Sequence, residues 1–117
     1  QINPAIHDVA PVNWGDAVGP STPTWRSGIG LSADGKTFYY VCGSSLTIDM
    51  LARAMQEAGI QNGMELDINN YWVHFVAVRD QGNVRTLEPL FPDMMFEDVD
   101  RYLLASPRDY FYVTSAR

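Results

Sequence analysis

The order of apolar and polar residues changes its period along the chain, and each period predicts a kind of element. Between residues 26 and 42, two apolar runs flank the dipeptide Asp34-Gly35. Asp-Gly between β-prone runs is a strong hairpin signal, because both residues readily take the backbone angles of a tight turn. The pattern therefore predicts antiparallel strands near 26–32 and 37–42.

The stretch that follows has a helical period. Its apolar residues recur at the spacing that places them on one helix face, and they are Ile48, Leu51, Ala52, Met55 and Ala58. The flanking residues fit the two ends of a helix, because Thr47 can cap the first turn and Gly59 can take the left-handed stop. We predict a helix over 48–58.

After the helix the pattern returns to strands. The runs "GMELDI" and "WVHFVAVRD" predict strands within 63–68 and 72–80, and the second run is apolar on both faces. A short helix is predicted near 97–104, and a final strand is predicted in "RDYFYVTSAR", residues 108–117. This order predicts an α+β fold with a mixed, mostly antiparallel sheet, one main helix packed on it, and a place within a larger domain.

Residues 1–25 differ from the rest of the chain. They hold four of the seven prolines, and proline fixes φ and lacks a backbone donor. We therefore predict an irregular proline-rich arm over 1–25 that packs against something else, and a C-terminal lobe over 26–117. Because the arm is irregular and the central strands are apolar on both faces, we expect the chain to be one piece of a larger fold, or a processed product.

Composition and charge exclude several classes of function. The 117 residues include 8 basic and 14 acidic ones, for a net charge of −6, and the basic residues are not clustered. A phosphate-backbone binder needs clustered cations, so nucleic acid is not an expected partner. No run of about 18 apolar residues predicts a membrane span. Cys42 is the single cysteine, and we interpret it as a buried strand residue rather than a nucleophile.

The densest cluster of candidate chemistry is "MELDINNYW", residues 64–72. Asp67 closes an apolar strand, where a carboxylate can act as a general acid or base, a cation ligand or an acceptor for a sugar hydroxyl. An Asp at a strand end can also simply form the turn. Asn69 lies two residues on, so on an extended strand it would share a face with Asp67.

The rest of the cluster offers contacts to a substrate. Asn70 could bind sugar hydroxyls, because a carboxamide both donates and accepts hydrogen bonds. Tyr71 and Trp72 could stack on a sugar ring, and their alternative is core packing. Arg26 precedes a glycine-rich strand, where its guanidinium could grip a phosphate as a fork. The alternative for Arg26 is a surface salt bridge.

These features occur in an order that resembles the C-terminal half of the phosphodiester glycosidase family, over about residues 24–80. The matching features are Arg26-Ser27, Asp34-Gly35, the helix from Leu46-Thr47 to Ala58-Gly59, and Leu66-Asp67. Better-known members follow Leu-Asp with a glycine-serine run. Here Ile68-Asn69-Asn70 follows instead, which resembles a Leu-Asp-Ile-Asn variant of a bacterial subgroup.

The resemblance implies a secreted, extracellular hydrolase of the phosphodiester α-N-acetylglucosaminidase type, acting on a sugar phosphodiester or a related glycosidic bond. It implies Asp67 and Asn69 as catalytic residues. The residues that it implies for substrate binding are Arg26, Asn70, Tyr71 and Trp72. Accordingly, we expect the side chains of Arg26, Asp67 and Asn69 to line one cleft.

Partners and cofactors follow from the same resemblance. The substrate would be a carbohydrate or a sugar phosphate. The site would be completed by the N-terminal half of the family domain, in the same protein or in a partner chain. No organic cofactor is expected, and a divalent cation is left open. The alternative is a non-catalytic extracellular structural or assembly subunit built on the same fold.

Overall fold

The computed structural model describes Ile2, Gly19 and residues 21–94, 99–105 and 110–114. The chain divides into two compact units, residues 1–73 and residues 74–117. The described residues form five strands and one α-helix, and every strand pair is antiparallel. The fold is therefore α+β, as the sequence predicts. The boundary predicted between residues 25 and 26 falls inside the first strand.

The first unit is a three-stranded sheet with a helix on one face. Its elements are β1 (Thr24–Ser32), β2 (Phe38–Leu46), α1 (Ile48–Glu57) and β3 (Ile60–Ile68). β1 is the central strand, since the sheet order is β2-β1-β3. The helix contacts all three strands. It buries Ile48, Leu51 and Met55, so the predicted helix is confirmed, although it ends at Glu57 and the predicted face member Ala58 is exposed.

Both ends of α1 follow the local sequence. The Thr47 hydroxyl accepts a hydrogen bond from the Met50 N–H at 3.3 Å and so satisfies one donor of the first turn. Asp49 lies in that turn, where the helix dipole favours a negative charge. Gly59 takes a φ of 86°, a left-handed conformation that glycine adopts without a steric penalty. The chain can therefore leave the helix and enter β3 at once.

Glycines on two strands allow α1 to lie close to the sheet. A Cβ built on Gly28 would lie 2.8 Å from the sulfur of Met55, and one built on Gly63 would lie 2.6 Å from the Met55 methyl carbon. Gly30 pairs with Gly63 in the register of β1 and β3. Met55 therefore fills the space that side chains at these positions would need.

Gly30→Ala tests this packing and is expected to lower the free energy of unfolding by about 1–3 kcal/mol. The added Cβ would meet Ile60 and would lie 2.8 Å from the backbone oxygen of Asn62, which cannot move aside without shifting β3. Chemical denaturation measures the change. Gly43→Ala is the matched control, because its Cβ would meet only the flexible side chain of Leu46, at 3.1 Å. Equal losses in the two variants would contradict the close approach of β1 and β3 at Gly30.

The second unit contains a two-stranded hairpin. β4 (Val76–Gln81) and β5 (Val84–Pro89) pair around Gly82, whose φ is 63°. Two exposed ion pairs cross it, Arg79 with Glu88 at 3.3 Å and Arg85 with Asp80 at 2.6 Å. Short 3-10 turns follow at Pro92–Met94 and Arg101–Leu103. The sequence pattern does not predict β5.

The strand predicted over 72–80 begins later than expected. β4 starts at Val76, because the chain turns immediately after β3. The N–H groups of Trp72 and Val73 donate to the carbonyl of Asn69, at 3.4 and 3.1 Å. Donors used in a turn are not free to form a strand ladder, so residues 72–75 do not extend β4.

Two predictions near the C-terminus are also wrong in their described parts. In place of a helix over 97–104 there is only the 3-10 turn at Arg101–Leu103, and residues 97–98 lie outside the described residues. The predicted final strand is absent from residues 110–114, and residues 108–109 and 115–117 lie outside the described residues. The apolar side chains of 110–113 are exposed. Among the described residues, no helix is long and apolar enough to span a membrane.

Candidate functional site

The end of β3 is fastened to the beginning of β1. The Ser27 hydroxyl donates to the main-chain carbonyl of Asp67 at 2.8 Å. The Asn69 N–H donates to the carbonyl of Trp25 at 2.7 Å. Between these two contacts, Ile68 pairs with Arg26 in the sheet register. The sequence-predicted residues 67–69 are thus held at a fixed place beside β1.

Arg26 lies inside the first unit, with only 1% of its surface exposed. Its Nη1 donates to the Glu65 carboxylate at 2.7 Å, and its Nε donates to the carbonyl of Leu46 at 3.0 Å. Its Nη2 donates to the carbonyls of Gly19 and Thr22, at 2.9 and 3.3 Å. A buried guanidinium is tolerated only when its charge and donors are satisfied, and these contacts satisfy them.

Both strands beside β1 are irregular at the level of Arg26. From Thr24 to Arg26, β1 advances by two residues while β2 advances by three, from Leu46 to Gly43. From Arg26 to Gly28, β1 again advances by two residues while β3 advances by three, from Ile68 to Glu65. Each neighbouring strand therefore carries one extra residue. Ser45, in the first of these bulges, has a φ of 56°. A bulge changes where side chains and carbonyls point. The two bulges account for how atoms from both neighbouring strands reach one guanidinium.

This placement does not fit the predicted role of Arg26 in binding a phosphate. A guanidinium that grips a substrate must reach solvent, whereas this one is buried against Glu65 and backbone carbonyls. Of the two interpretations that the sequence left open, the structure supports the salt bridge, but the pair is buried rather than on the surface. Asp67, in contrast, is exposed. The expectation that the side chains of Arg26, Asp67 and Asn69 line one cleft is not met.

Asp67 presents its carboxylate to solvent at the end of β3. Within the described part of the chain, this carboxylate makes no hydrogen bond and no ion pair. A turn-forming Asp would instead accept a hydrogen bond from a nearby backbone N–H. The structure therefore gives no support to the purely turn-forming interpretation of Asp67, and it leaves the carboxylate open to a ligand.

Asn69 forms the turn instead. Its φ is 73°, a left-handed conformation that Asn tolerates better than most residues. Its side-chain oxygen accepts a hydrogen bond from the Tyr71 N–H at 2.9 Å. This is an Asx turn, and it reverses the chain after β3. The predicted catalytic residue Asn69 thus has a structural task, which places the residues on either side of it.

The loop of residues 67–72, called here the 67–72 loop, exposes the remaining candidates. Asn70 is exposed, Tyr71 is 65% exposed and Trp72 is 37% exposed. Val73, directly after the loop, is 1% exposed and serves as its buried anchor. Neither Tyr71 nor Trp72 is buried, so the structure does not support core packing for these two residues. The exposed surface of the loop therefore combines a carboxylate, a carboxamide and aromatic rings.

The described residues do not form a metal site. Among them, no three His, Cys, Asp or Glu side chains lie close enough together to hold a metal ion. A cation at Asp67 would therefore need ligands from elsewhere. Cys42 lies in β2 as expected but is half-buried rather than fully buried. Its partial burial raises the pKa of the thiol, and a hydrogen bond with Tyr40 offsets the rise only in part. A protonated thiol is a poor nucleophile.

Ser27 and Glu65 are the residues of this region that sequence reasoning missed. Glu65 carries a weak signal, because it is a charged residue inside the apolar run "GMELDI". In the structure its side chain is only 9% exposed. Ser27 carries no comparable signal. Its role depends on Asp67, which lies forty residues further along the chain.

The chain was compared with models of known protein families, with curated proteins and with solved structures, and none of the three comparisons gave a match. The functional argument therefore depends on the geometry of the 67–72 loop and on the resemblance carried by the sequence motifs.

Proposed function

We propose that this chain is the C-terminal lobe of a secreted glycosidase-type hydrolase that cleaves a sugar phosphodiester or a related glycosidic bond at Asp67. One observation carries the proposal: the exposed Asp67 carboxylate has no partner among the described residues, although the backbone beside it is firmly held. A carboxylate kept in a fixed position without a structural partner is suited to act on a ligand. The resemblance to phosphodiester glycosidases over about 24–80 supports the reaction class.

Asp67 would act as a general acid or base at the scissile bond. Glycoside hydrolysis commonly uses two carboxyl groups that flank this bond. Glu65 is not the second group, because it is buried and committed to Arg26. The second group would come from the N-terminal half of the family domain, in the same protein or in a partner chain.

The aromatic residues of the loop would bind the sugar. A tyrosine or tryptophan ring offers a flat apolar face and a polar tip, which suits a sugar ring with C–H groups on its faces and hydroxyls at its rim. The Asn70 carboxamide can donate to one hydroxyl and accept from another. Since the Asn69 oxygen is used in the turn, we assign Asn69 to holding the loop rather than to the reaction.

A phosphodiester substrate also carries a negative charge that must be balanced. Arg26 does not supply that balance, because its guanidinium is buried against Glu65. The compensating positive charge would come from a divalent cation held partly by Asp67, or from a cationic side chain of the other half of the domain. Dependence of the activity on added divalent cation distinguishes these two sources.

A turnover assay on the full-length protein encoded by the gene tests the proposal. An aryl sugar phosphodiester and the matching uncharged aryl glycoside are the substrates, and release of the aryl group is measured. We expect turnover of the phosphodiester. Failure to hydrolyse either substrate, with sugar binding retained, would support a non-catalytic subunit. Failure both to hydrolyse and to bind would contradict a carbohydrate function altogether.

Tyr71→Ala is expected to weaken binding of the sugar by roughly 2- to 10-fold, because one aromatic contact contributes about 0.5–1.5 kcal/mol beyond its buried area. The change is expected in the dissociation constant or KM, with little change in kcat. Tyr112→Ala is the matched control, since Tyr112 is 81% exposed and lies outside the 67–72 loop. If the two variants bind the sugar equally well, the loop is not the sugar-binding surface.

A non-catalytic extracellular subunit is the second candidate. The observation that favours it is the structural commitment of Arg26, which leaves Asp67 and the aromatic residues without the cation that the sequence assigned to the site. Such a subunit would bind glycan through the 67–72 loop without cleaving it. The turnover assay separates the two candidates.

A further inference from the structure

The β-bulge in β3 lies directly before the exposed carboxylate. Arg26 pairs with Ile68 and Gly28 pairs with Glu65, so Ser27 alone faces two residues, Leu66 and Asp67. A bulge interrupts the backbone ladder and leaves a carbonyl without its usual N–H partner. Here the Ser27 hydroxyl, which is part of a residue only 2% exposed, donates to the Asp67 carbonyl at 2.8 Å.

We infer that Ser27 is a positioning residue for Asp67, with its hydroxyl taking the place of the backbone donor that the bulge removes. The inference rests on the proposed function, because Asp67 is the carboxylate that would be positioned. Ser27 acts through the main chain of Asp67 and does not touch a substrate. Its effect is to fix the Cα of Asp67, and so the origin of the side chain, relative to β1.

The contacts on either side explain why one hydroxyl can matter. Before the bulge, Glu65 is held by Arg26 at 2.7 Å, and after it, the Asn69 N–H is held by Trp25 at 2.7 Å. Between these points, Ser27 supplies the contact to Asp67 itself. Without the hydroxyl, the strand would remain attached through Glu65, while the segment from Asp67 to Asn69 would lose one of its contacts to β1 and open more often.

The position of a catalytic group affects the chemical step more than it affects binding, because misplacement of a reacting group by about 1 Å can cost on the order of a hundredfold in rate. We therefore expect Ser27→Ala to lower kcat about tenfold or more and to change KM less than about twofold. Tyr71→Ala has the opposite signature, since it acts on KM. A purely structural loss would lower the amount of folded protein and leave the kcat of the folded fraction unchanged.

Ser27→Thr is the conservative variant, because threonine keeps the hydroxyl on the same carbon. It is expected to restore kcat to within a few-fold of the original protein. Ser32→Ala is the matched control on the same strand, since it loses a hydrogen bond to Asp34 in the β1–β2 turn instead. That control is expected to leave kcat unchanged. Loss of kcat in the Ala and Thr variants alike, or full kcat in Ser27→Ala, would overturn the inference.

Amide hydrogen exchange separates this inference from the proposed function. In Ser27→Ala, the amides of Asn69 and Tyr71 are expected to exchange about tenfold faster or more, whereas in Ser27→Thr and Ser32→Ala they exchange at the original rate. This readout needs no substrate. Faster exchange in a protein that shows no turnover would reject the hydrolase and keep the positioning role. Unchanged exchange in Ser27→Ala would reject the positioning role, whether or not the protein is a hydrolase.

Discussion

Glu65→Gln is expected to lower the free energy of unfolding by roughly 3 kcal/mol or more, because removing one partner of a buried ion pair leaves the other charge uncompensated. Arg26 is 1% exposed, and the Glu65 side chain is 9% exposed, so water cannot replace the lost carboxylate. Among the described residues, the guanidinium also donates to the neutral carbonyls of Leu46, Gly19 and Thr22, which carry no charge to replace that of Glu65. Since a small domain is stable by only about 5–15 kcal/mol, the variant would lose a large share of its stability.

Glu88→Gln is the matched control for this change. Glu88 also pairs with an arginine across two strands, but the side chains of Arg79 and Glu88 are 64% and 66% exposed. An exposed pair contributes about 0–1 kcal/mol, and salt screens it further. Chemical denaturation of both variants at two salt concentrations measures the difference. If both variants lost the same stability, Arg26 would not be a buried, charge-dependent anchor.

A double variant, Arg26→Met with Glu65→Leu, tests the origin of the loss. Replacing a whole buried ion pair by apolar side chains is often neutral or stabilising, because the cost of desolvating the charges disappears. Here the recovery is expected to be partial, since the carbonyls of Leu46 and Gly19 would lose their donor. A double variant no more stable than Glu65→Gln would mean that the hydrogen bonds to the carbonyls, rather than the charge pair, hold this region.

Asp67→Asn is expected to lower kcat about a hundredfold or more in the protein as its gene encodes it. Asn is nearly isosteric with Asp, so what changes is the charge and the ability to exchange a proton. The thermal midpoint is expected to stay the same. Asn69 makes the turn after β3, and the Asp67 carboxylate has no partner in the described part of the chain.

Asp34→Asn is the control for Asp67→Asn. Asp34 is an exposed carboxylate that does form a turn. A hydrogen bond from the Ser32 hydroxyl, which has the larger effect, and one from the Lys36 N–H lower its pKa. This variant is expected to keep full turnover. Turnover and thermal midpoint are measured on the same preparation of each variant. Full turnover in Asp67→Asn would remove Asp67 from the mechanism.

The parts of the fold that the sequence predicts correctly depend on short-range signals. The β1–β2 hairpin follows from Asp34-Gly35, and α1 follows from its apolar period and from Thr47. Strand β5 is missed, since half of the residues in its sequence "VRTLEP" are polar and its partners lie across the hairpin in β4. Local patterns therefore give the first unit well and the second unit poorly.

The candidate site could be predicted only in part, for the same reason. The sequence identifies the 67–72 loop, because its polar and aromatic residues are consecutive. It cannot choose between phosphate binding and a salt bridge for Arg26, since Glu65 is 39 residues away in the chain. It also assigns residues 72–75 to a strand from their apolar pattern, whereas the left-handed Asn69 turns the backbone first.

The central position of β1 also determines the order in which the first unit can form on the ribosome. Of the described strands, β1 is synthesised before the others, but its edge facing β3 does not find that strand until about 36 more residues, from Ser32 to Ile68, have been added. At roughly 5–20 residues per second this takes about 2–7 s. During that time Glu65 is not yet available to Arg26, and an open strand edge can pair with another nascent chain. Slow translation between residues 32 and 68 therefore lengthens the period in which this protein is most exposed to misassembly.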